Sequence, residues 1–187
     1  MYVHGYGSDG NAMKGRMLRE MLPECRVVSP TLDYDGCSPD ELLEMLQKTV
    51  EAERVEMIVG SSMGGYFGLC CARFFEGPMW LINPVHHIVP TLEQVVMQGV
   101  GEARLDKYRS RRLMEYKAFD KQVFAQVPQR NGQLNFALSE DDELLGDHHD
   151  LMEMFPQHGE VVWMAGCGHR FLRFAEMKPW MRKTLGL

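Results

Sequence analysis

The chain has 187 residues, of which 45% are hydrophobic and 25% are charged, and its formal net charge at pH 7 is −6. This length and balance are typical of one globular domain, so we expect residues 1–187 to form a single unit. The basic run Arg109–Arg112 is too short to cover a nucleic-acid backbone, and no segment approaches the roughly 20 apolar residues of a membrane span. Nucleic-acid binding and a membrane span are therefore excluded from the expected functions.

Short, apolar, β-rich runs recur along the chain and predict about six strands. They are Tyr2–Val3, Arg26–Ser29, Met57–Val59, Met79–Ile82, Leu134–Leu138 and Val161–Met164. Their nearly continuous hydrophobicity is typical of strands buried on both faces, as in a mostly parallel sheet.

Helical patterns alternate with these runs. The clearest begins at Ser38, where an N-cap serine, Pro39 at the first helical position and Glu41 complete a capping box. Further helices are expected around Met13–Leu22, over Gly64–Phe75 and over Phe171–Leu185, where Pro179 is expected to kink the helix. The alternation predicts an α/β fold, with a sheet flanked by helices.

One segment, from about Val85 to Val127, interrupts the alternation after the fourth predicted strand. It is long, charged and mostly helical in pattern, with Leu105, Tyr108 and Leu113 as expected inward positions. We therefore expect a helical cap at about 85–127, inserted into the single α/β domain.

The sharpest chemical pattern is Gly60-Ser61-Ser62-Met63-Gly64, a G-x-S-x-G motif between a predicted strand and a predicted helix. The two glycines allow the helix to approach the strand, and a sharp turn lifts the Ser62 hydroxyl to the helix N-terminus. Ser61 is the local competitor, but it occupies the x position. The motif predicts that Ser62 is a nucleophile rather than part of a plain glycine-rich turn.

A serine nucleophile needs a neutral imidazole to take its proton. His169 follows the last predicted strand, in a glycine-rich loop expected at the carboxyl edge of the sheet. The chain order serine, acid, histidine places the acid in the loop after Leu134–Leu138. We favour Asp142 there, with Asp141 as the second candidate and Asp147 as the third.

Two backbone N–H groups are expected to form an oxyanion hole for the charge that develops on the substrate oxygen. One is that of Met63, directly after the nucleophile, and the other is assigned to Tyr6 in the loop after the first strand. His4 is expected to hold that loop rather than to act in catalysis.

Two pairs of adjacent histidines, His86-His87 and His148-His149, are interpreted as polar faces or caps. Adjacent side chains point apart on a helix or strand, so neither pair predicts a metal site.

Several motifs carry a resemblance that runs nearly from end to end. They are Tyr2-Val3-His4-Gly5-Tyr6, Val59-Gly60-Ser61-Ser62-Met63-Gly64-Gly65-Tyr66, Ile82-Asn83-Pro84, Asp142-Glu143 and Gly168-His169. On these residues the chain resembles the small bacterial esterases of the YqiA/YcfP family. The resemblance implies an α/β-hydrolase fold and hydrolysis of short-acyl carboxylic esters without a metal or organic cofactor. It also implies a triad of Ser62, Asp142 and His169.

The residues and the resemblance together predict a serine esterase that acts on a small-molecule ester through an acyl-enzyme. Thioester or amide hydrolysis and acyl transfer are alternatives, because the same triad supports them. A hydrolase-like binding protein that uses the insertion as its contact surface is the alternative from another class. The presence of a serine, a histidine and an acid favours the enzyme. The sequence does not predict the oligomeric state.

The expected location is the cytoplasm. A strand-like segment begins at Met1, so we expect no signal peptide. Five cysteines cannot all pair, and none forms a Cys-x-x-Cys pattern, so we expect reduced thiols.

Overall fold

The computed structural model of the chain describes residues 1–99, 109–128 and 134–187. These parts form a five-stranded sheet in the order β1-β2-β3-β4-β5, in which every neighbouring pair is parallel. The strands are β1 (Tyr2–Val3), β2 (Ile58–Ser61), β3 (Met79–Ile82), β4 (Leu134–Ser139) and β5 (Val161–Met164). The predicted α/β class and parallel sheet are confirmed.

Helices lie on both faces of this sheet. They are α1 (Met13–Met21), α2 (Pro39–Glu53), α3 (Met63–Cys71), α4 (Ile88–Gly99), α5 (Met114–Gln122), α6 (His149–Met154) and α7 (Lys178–Thr184), with short 3₁₀ turns at Phe124–Gln126 and Phe174–Met177 and a π-helical turn at Arg109–Leu113. The predicted capping box is present at α2, where the Ser38 hydroxyl accepts from Glu41 N and the Glu41 carboxylate accepts from Ser38 N.

The core is divided into two layers because successive side chains of a strand point to opposite faces of the sheet. Ile58 and Leu81 lie in one layer, which helices α2, α3 and α5 cover. Val59 and Trp80 lie in the other, which α1 and α7 cover. With both faces covered, the strands are buried as their continuous hydrophobicity predicts.

The sheet has one strand fewer than expected, because Arg26–Ser29 is not a strand. This segment runs beside β1, but β1 is only two residues long, and a single hydrogen bond from Tyr2 N to Val28 O joins them. Pro30 follows at once and has no N–H to extend a ladder. The insertion therefore follows the third strand, β3, instead of a fourth.

The last helix is shorter than the predicted Phe171–Leu185. Phe171 has φ 49°, which is incompatible with an α-helical start, and the α-helix begins only at Lys178. Pro179 consequently lies in the first turn of α7, where its missing N–H breaks no helical hydrogen bond. Contrary to the expectation of a kink, it does not interrupt the helix.

The described part of the insertion is helical and packs into the core. Tyr116 and Phe119 of α5 are buried and contact the ring of Phe67 on α3. Leu113 is buried, as expected, whereas the predicted inward positions Leu105 and Tyr108 lie outside the described residues. A cap over the serine stays a prediction.

The helices within the described ranges include none with the length and hydropathy needed to cross a bilayer.

Candidate active site

Ser62 lies at the turn between β2 and α3, with φ 56° and ψ −121°. A non-glycine residue in this region costs on the order of 1–3 kcal/mol, so the surrounding packing must impose the turn. A Cβ on Gly60 would come within 2.4 Å of the Gly64 oxygen, and one on Gly64 within 2.1 Å of the Val3 oxygen. Because both positions exclude a side chain, the motif sets how closely α3 approaches the sheet.

The two serines of the motif have different surroundings. Ser61 ends β2 and is buried. Ser62 is partly exposed and its Oγ lies 2.9 Å from Nε2 of His169. The turn therefore presents Ser62, and not Ser61, to an imidazole.

His169 lies in the loop after β5, so its meeting with Ser62 bridges 107 positions of sequence. Its other ring nitrogen, Nδ1, is 3.0 Å from both carboxylate oxygens of Asp142. An ionised carboxylate only accepts hydrogen bonds, so Nδ1 carries the proton and Nε2 offers its lone pair to the serine hydroxyl. The structure thus brings the three predicted catalytic residues together in the order required for proton transfer.

Asp142 is buried with an unusually complete set of hydrogen-bond donors. Its Oδ1 accepts from the backbone N–H groups of Leu144 and Leu145, and its Oδ2 lies 3.1 Å from Nε2 of His148. Burial by itself raises the pKa of Asp142, but the hydrogen bonds from His148, His169 and Leu145 outweigh it and hold the pKa well below its usual range. The carboxylate therefore stays ionised beside His169.

The other acids of this loop have different contacts. Asp141 Oδ1 accepts from the backbone N–H groups of Cys167 and Gly168, and Glu143 accepts from His169 N at 2.7 Å. Among the described residues, Asp147 accepts from the backbone N–H of His149, at the start of α6. Asp141 and Glu143 thus hold the backbone of the histidine loop, while the imidazole itself contacts Asp142.

His148 is a functional candidate that the sequence analysis missed. Its side chain is fully buried, its Nε2–H donates to Asp142, and its Nδ1 has no hydrogen-bond partner among the described residues. Its backbone is left-handed, with φ 56°, which turns the ring back towards the acid. Asp142 is consequently held between two imidazoles.

Asn83 is a second residue whose role the sequence did not reveal, although the Asn-Pro pair was noted. It follows β3 with φ 40° and is completely buried. Its amide nitrogen donates to the carbonyl oxygens of Gly168 and His169, and its amide oxygen accepts from Ser139 N. One side chain therefore fixes the histidine loop to the end of β4, where the acid loop begins.

The loop after β1 lies against the serine. A Cβ on Gly5 would be 3.3 Å from the Ser62 Cβ, and Tyr6 lines the same cavity as Ser62. His4 is buried, its Nε2 accepts from Leu32 N, and its Nδ1 donates to the Gly5 oxygen, so it holds this loop as expected. Burial lowers the pKa of His4, in keeping with a neutral ring.

Met63 is the first residue of α3, where backbone N–H groups have no partner within the helix. Its N–H and that of Tyr6 remain our predicted oxyanion donors.

A cavity of about 350 Å³ opens beside Ser62 and His169. Lys14 and Arg170 line one side, and Lys14 Nζ donates to the Arg170 carbonyl oxygen. Burial, and then the charge of Arg170, lowers the pKa of Lys14 to about 8. Among the described residues, no aspartate or glutamate lines this cavity, so its charge is positive.

The expectation that His86 and His87 point apart is wrong. They lie in a bend between β3 and α4, where the alternation of a regular element does not apply. Their rings are 4.7 Å apart, and each Nε2 contacts the carboxylate of Asp150, at 2.8 and 2.5 Å. His149, in contrast, is exposed and its ring faces Trp163.

The parallel sheet, the strained serine turn and the histidine and acid loops at the same sheet edge are the features of the α/β-hydrolase fold. Solved structures of this fold are similar over almost the whole chain. Est1E from Butyrivibrio proteoclasticus matches with a TM-score of 0.69 at 14% identity, over 100% of this chain and 87% of that one. The α/β-hydrolase domain-containing protein 10 from mouse matches with a TM-score of 0.65 at 16% identity, over 97% and 88%. The meta-cleavage product hydrolase from Pseudomonas fluorescens matches with a TM-score of 0.63 at 14% identity, over 99% and 89%.

Within this fold, the chain belongs to the family described as Uncharacterised protein family (UPF0227), whose model matches residues 1–183. The expected membership of the YqiA/YcfP-like family and the expected fold are thereby confirmed.

Proposed function

We propose that the chain is a serine hydrolase that cleaves carboxylic esters through Ser62, His169 and Asp142. The observation that carries the proposal is the continuous chain of contacts from the Ser62 hydroxyl through both nitrogens of His169 to Asp142. The solved structures named esterase and hydrolase are consistent with it, although at this identity their likeness extends to the fold alone.

In the first half-reaction, Ser62 Oγ attacks the ester carbonyl carbon while its proton passes to Nε2 of His169. The ionised carboxylate of Asp142 stabilises the imidazolium that forms. The tetrahedral intermediate then collapses: its bond to the alkoxy oxygen breaks, and the alcohol leaves with the proton from Nε2. The acyl group remains on Ser62.

In the second half-reaction, a water molecule gives a proton to Nε2 and attacks the acyl-enzyme. Collapse of this intermediate releases the carboxylic acid and returns the proton to Ser62. In both steps the proposed oxyanion donors are the N–H groups of Met63 and Tyr6. Loss of one such donor typically costs on the order of 10²- to 10³-fold in rate.

The lining of the cavity adds a charge preference to this proposal. Lys14 and Arg170 lie on one side of the cavity that contains Ser62. An ester that carries a carboxylate or phosphate a few atoms from the reacting carbonyl would place its charge near these cations. We therefore propose small, negatively charged esters as the preferred substrates.

The experiment is a panel of p-nitrophenyl esters, the corresponding thioesters and the corresponding anilides, tested with the wild type and with Ser62→Ala. Ester hydrolysis that disappears in Ser62→Ala supports the proposal. If the thioesters are turned over faster than the esters, the activity to propose is thioester hydrolysis by the same triad. A folded wild type that turns over none of these substrates would overturn the proposal in favour of a binding protein.

We also retain the cytoplasm as the proposed location. All five cysteines are unpaired, as expected in a reducing compartment. Subcellular fractionation of cells that produce the tagged full chain tests this.

A further inference from the structure

A second cluster of ionisable side chains lies outside the proposed catalytic triad. It consists of His86 and His87, which follow β3, and Asp150, in the first turn of α6. One ligand-type atom from each residue lies within 4.8 Å of the others. The His86 side chain is 3% exposed, whereas those of His87 and Asp150 are 57% and 50% exposed. The cluster thus has a buried inner side and an outer side open to solvent.

The contacts of His86 place its outer ring nitrogen against the carboxylate of Asp150. Its Nδ1 lies 3.2 Å from the carbonyl oxygen of Pro84, which only accepts, so Nδ1 carries a proton. Its Nε2 lies 2.8 Å from Asp150 Oδ1, and an ionised carboxylate also only accepts. The Nε2 lone pair of His86 and the Asp150 oxygen therefore face each other, an arrangement that a metal ion can bind.

Metal-ligating histidines characteristically donate their second ring N–H to a backbone carbonyl or a carboxylate. This bond fixes the tautomer and directs the other lone pair at the metal. The contact between His86 and Pro84 is of that kind, which distinguishes the cluster from a chance meeting of surface charges.

We propose that Nε2 of His86, Nε2 of His87 and the carboxylate of Asp150 bind one divalent transition-metal ion of the zinc class. Two imidazoles and a carboxylate suit such ions, and three protein ligands leave a fourth position for water. Metal bonds of about 2.0–2.2 Å at tetrahedral angles separate ligand atoms by about 3.3–3.6 Å. The present separations of 2.8 and 2.5 Å reach that range through small movements of the two exposed side chains.

The ion would join two segments that are distant in sequence. It ties the start of the insertion, at His86 and His87, to helix α6, which follows the acid loop. The His86 ring also lies 5.8 Å from the ring of His148, which donates to Asp142. The ion is two side chains away from the catalytic carboxylate and has no contact with Ser62. The proposal therefore does not depend on the proposed hydrolase activity.

The test is calorimetric titration of the chelator-treated full chain with Zn²⁺, comparing the wild type, His87→Ala and Asp150→Asn. His149→Ala is the matched control, because it removes an exposed histidine next to Asp150 whose ring faces Trp163. We expect one equivalent to bind to the wild type and the control, and the affinity to fall at least about tenfold in the other two variants. Thermal unfolding with and without Zn²⁺ measures the same site, because an ion that binds only the folded chain raises the melting temperature.

Co²⁺ distinguishes this cluster from the five cysteines. Bound at the proposed site it gives d–d absorption without thiolate charge transfer, and the signal is lost in both ligand variants. The proposal is overturned if no saturable binding occurs near one equivalent, if both ligand variants bind as tightly as the wild type, or if thiolate charge transfer dominates.

Discussion

Two aspartates eight positions apart, Asp142 and Asp150, each contact two histidines, yet their surroundings give them different chemistry. The Asp142 side chain is fully buried, whereas that of Asp150 is 50% exposed. The ring of His169 contacts Asp142 through one nitrogen and the hydroxyl of Ser62 through the other. The ring of His86 contacts Asp150 through one nitrogen and a backbone carbonyl oxygen through the other. The same pair of residue types can therefore relay a proton in one place and hold a cation in the other.

What separates the two sites is the partner of the second imidazole nitrogen. A hydroxyl can give up a proton to a ring nitrogen, so the first arrangement can activate a nucleophile. A carbonyl oxygen has no proton to give, so the second arrangement can only orient a ring. Replacing each aspartate separately by asparagine is the strongest way to test this difference.

The largest expected effect is on catalysis in Asp142→Asn, compared with Asp150→Asn. We expect the first variant to lose on the order of 10⁴-fold in kcat for ester hydrolysis, because an amide does not hold the required histidine tautomer. Asp150→Asn is expected to stay within about threefold of the wild type while losing Zn²⁺ affinity. Steady-state kinetics on one p-nitrophenyl ester measures both. Similar losses of kcat in the two variants would show that the two aspartates do not differ in their contribution to catalysis.

The next effect is on stability as a function of pH. The pKa of Asp142 is held below its usual range, so its contribution to folding is present above the unfolded value of about 3.9 and is lost as pH falls through the folded pKa. We expect Asp142→Asn to lower the free energy of unfolding at pH 7 by about 1.5–3 kcal/mol, the range for hydrogen bonds to a charged group. Urea unfolding of both proteins at steps from pH 7 towards pH 3 should show this difference narrowing below about pH 4. If the difference in the free energy of unfolding widens on acidification, the ionised carboxylate of Asp142 does not stabilise the fold, and the prediction is wrong.

A smaller effect is expected from His148→Asn, which removes one donor to Asp142. Asparagine tolerates the left-handed backbone of this position. We expect kcat to fall about tenfold while KM changes less than twofold, because the donor orients the acid and does not contact substrate. His158→Asn, at a loop histidine whose ring nitrogen contacts the Gly159 oxygen, is the control. If kcat is unchanged in His148→Asn, His148 contributes to packing and does not orient Asp142 for catalysis.

The smallest effect concerns the cavity. Arg170→Ala should lower kcat/KM about threefold for the mono-p-nitrophenyl ester of glutaric acid and leave the butyric ester unchanged, since a partly exposed charge contact is worth about 0.2–1 kcal/mol. Arg173→Ala is the control, because Arg173 pairs with Glu176 and does not line the cavity. Equal losses on both esters would argue against a charge preference.

Features coded by neighbouring residues could be predicted from the sequence. The elbow around Ser62 depends on glycines two positions away, and the α2 cap depends on Ser38 and Glu41. The order of strands then placed the histidine and acid loops at one edge, because parallel strands end on the same side.

Features that depend on distant contacts could not be predicted. Asn83 meets the histidine loop across 85 positions, and Asp150 meets His86 across 64. The histidine pair was misjudged because alternation applies to regular elements and this pair lies in a bend. Arg26–Ser29 has the composition of a strand, but the two-residue β1 beside it offers almost no ladder to join.

Locating a covalent adduct tests most directly whether Ser62 is the nucleophile. The wild-type chain is treated with a fluorophosphonate, digested and sequenced by mass spectrometry, alongside His169→Ala and Ser61→Ala. We expect a phosphonyl group on Ser62 in the wild type and in Ser61→Ala, and slow or no modification in His169→Ala. Modification of Ser61, or a folded wild type that stays unmodified, would contradict the claim that Ser62 is a nucleophile activated by His169.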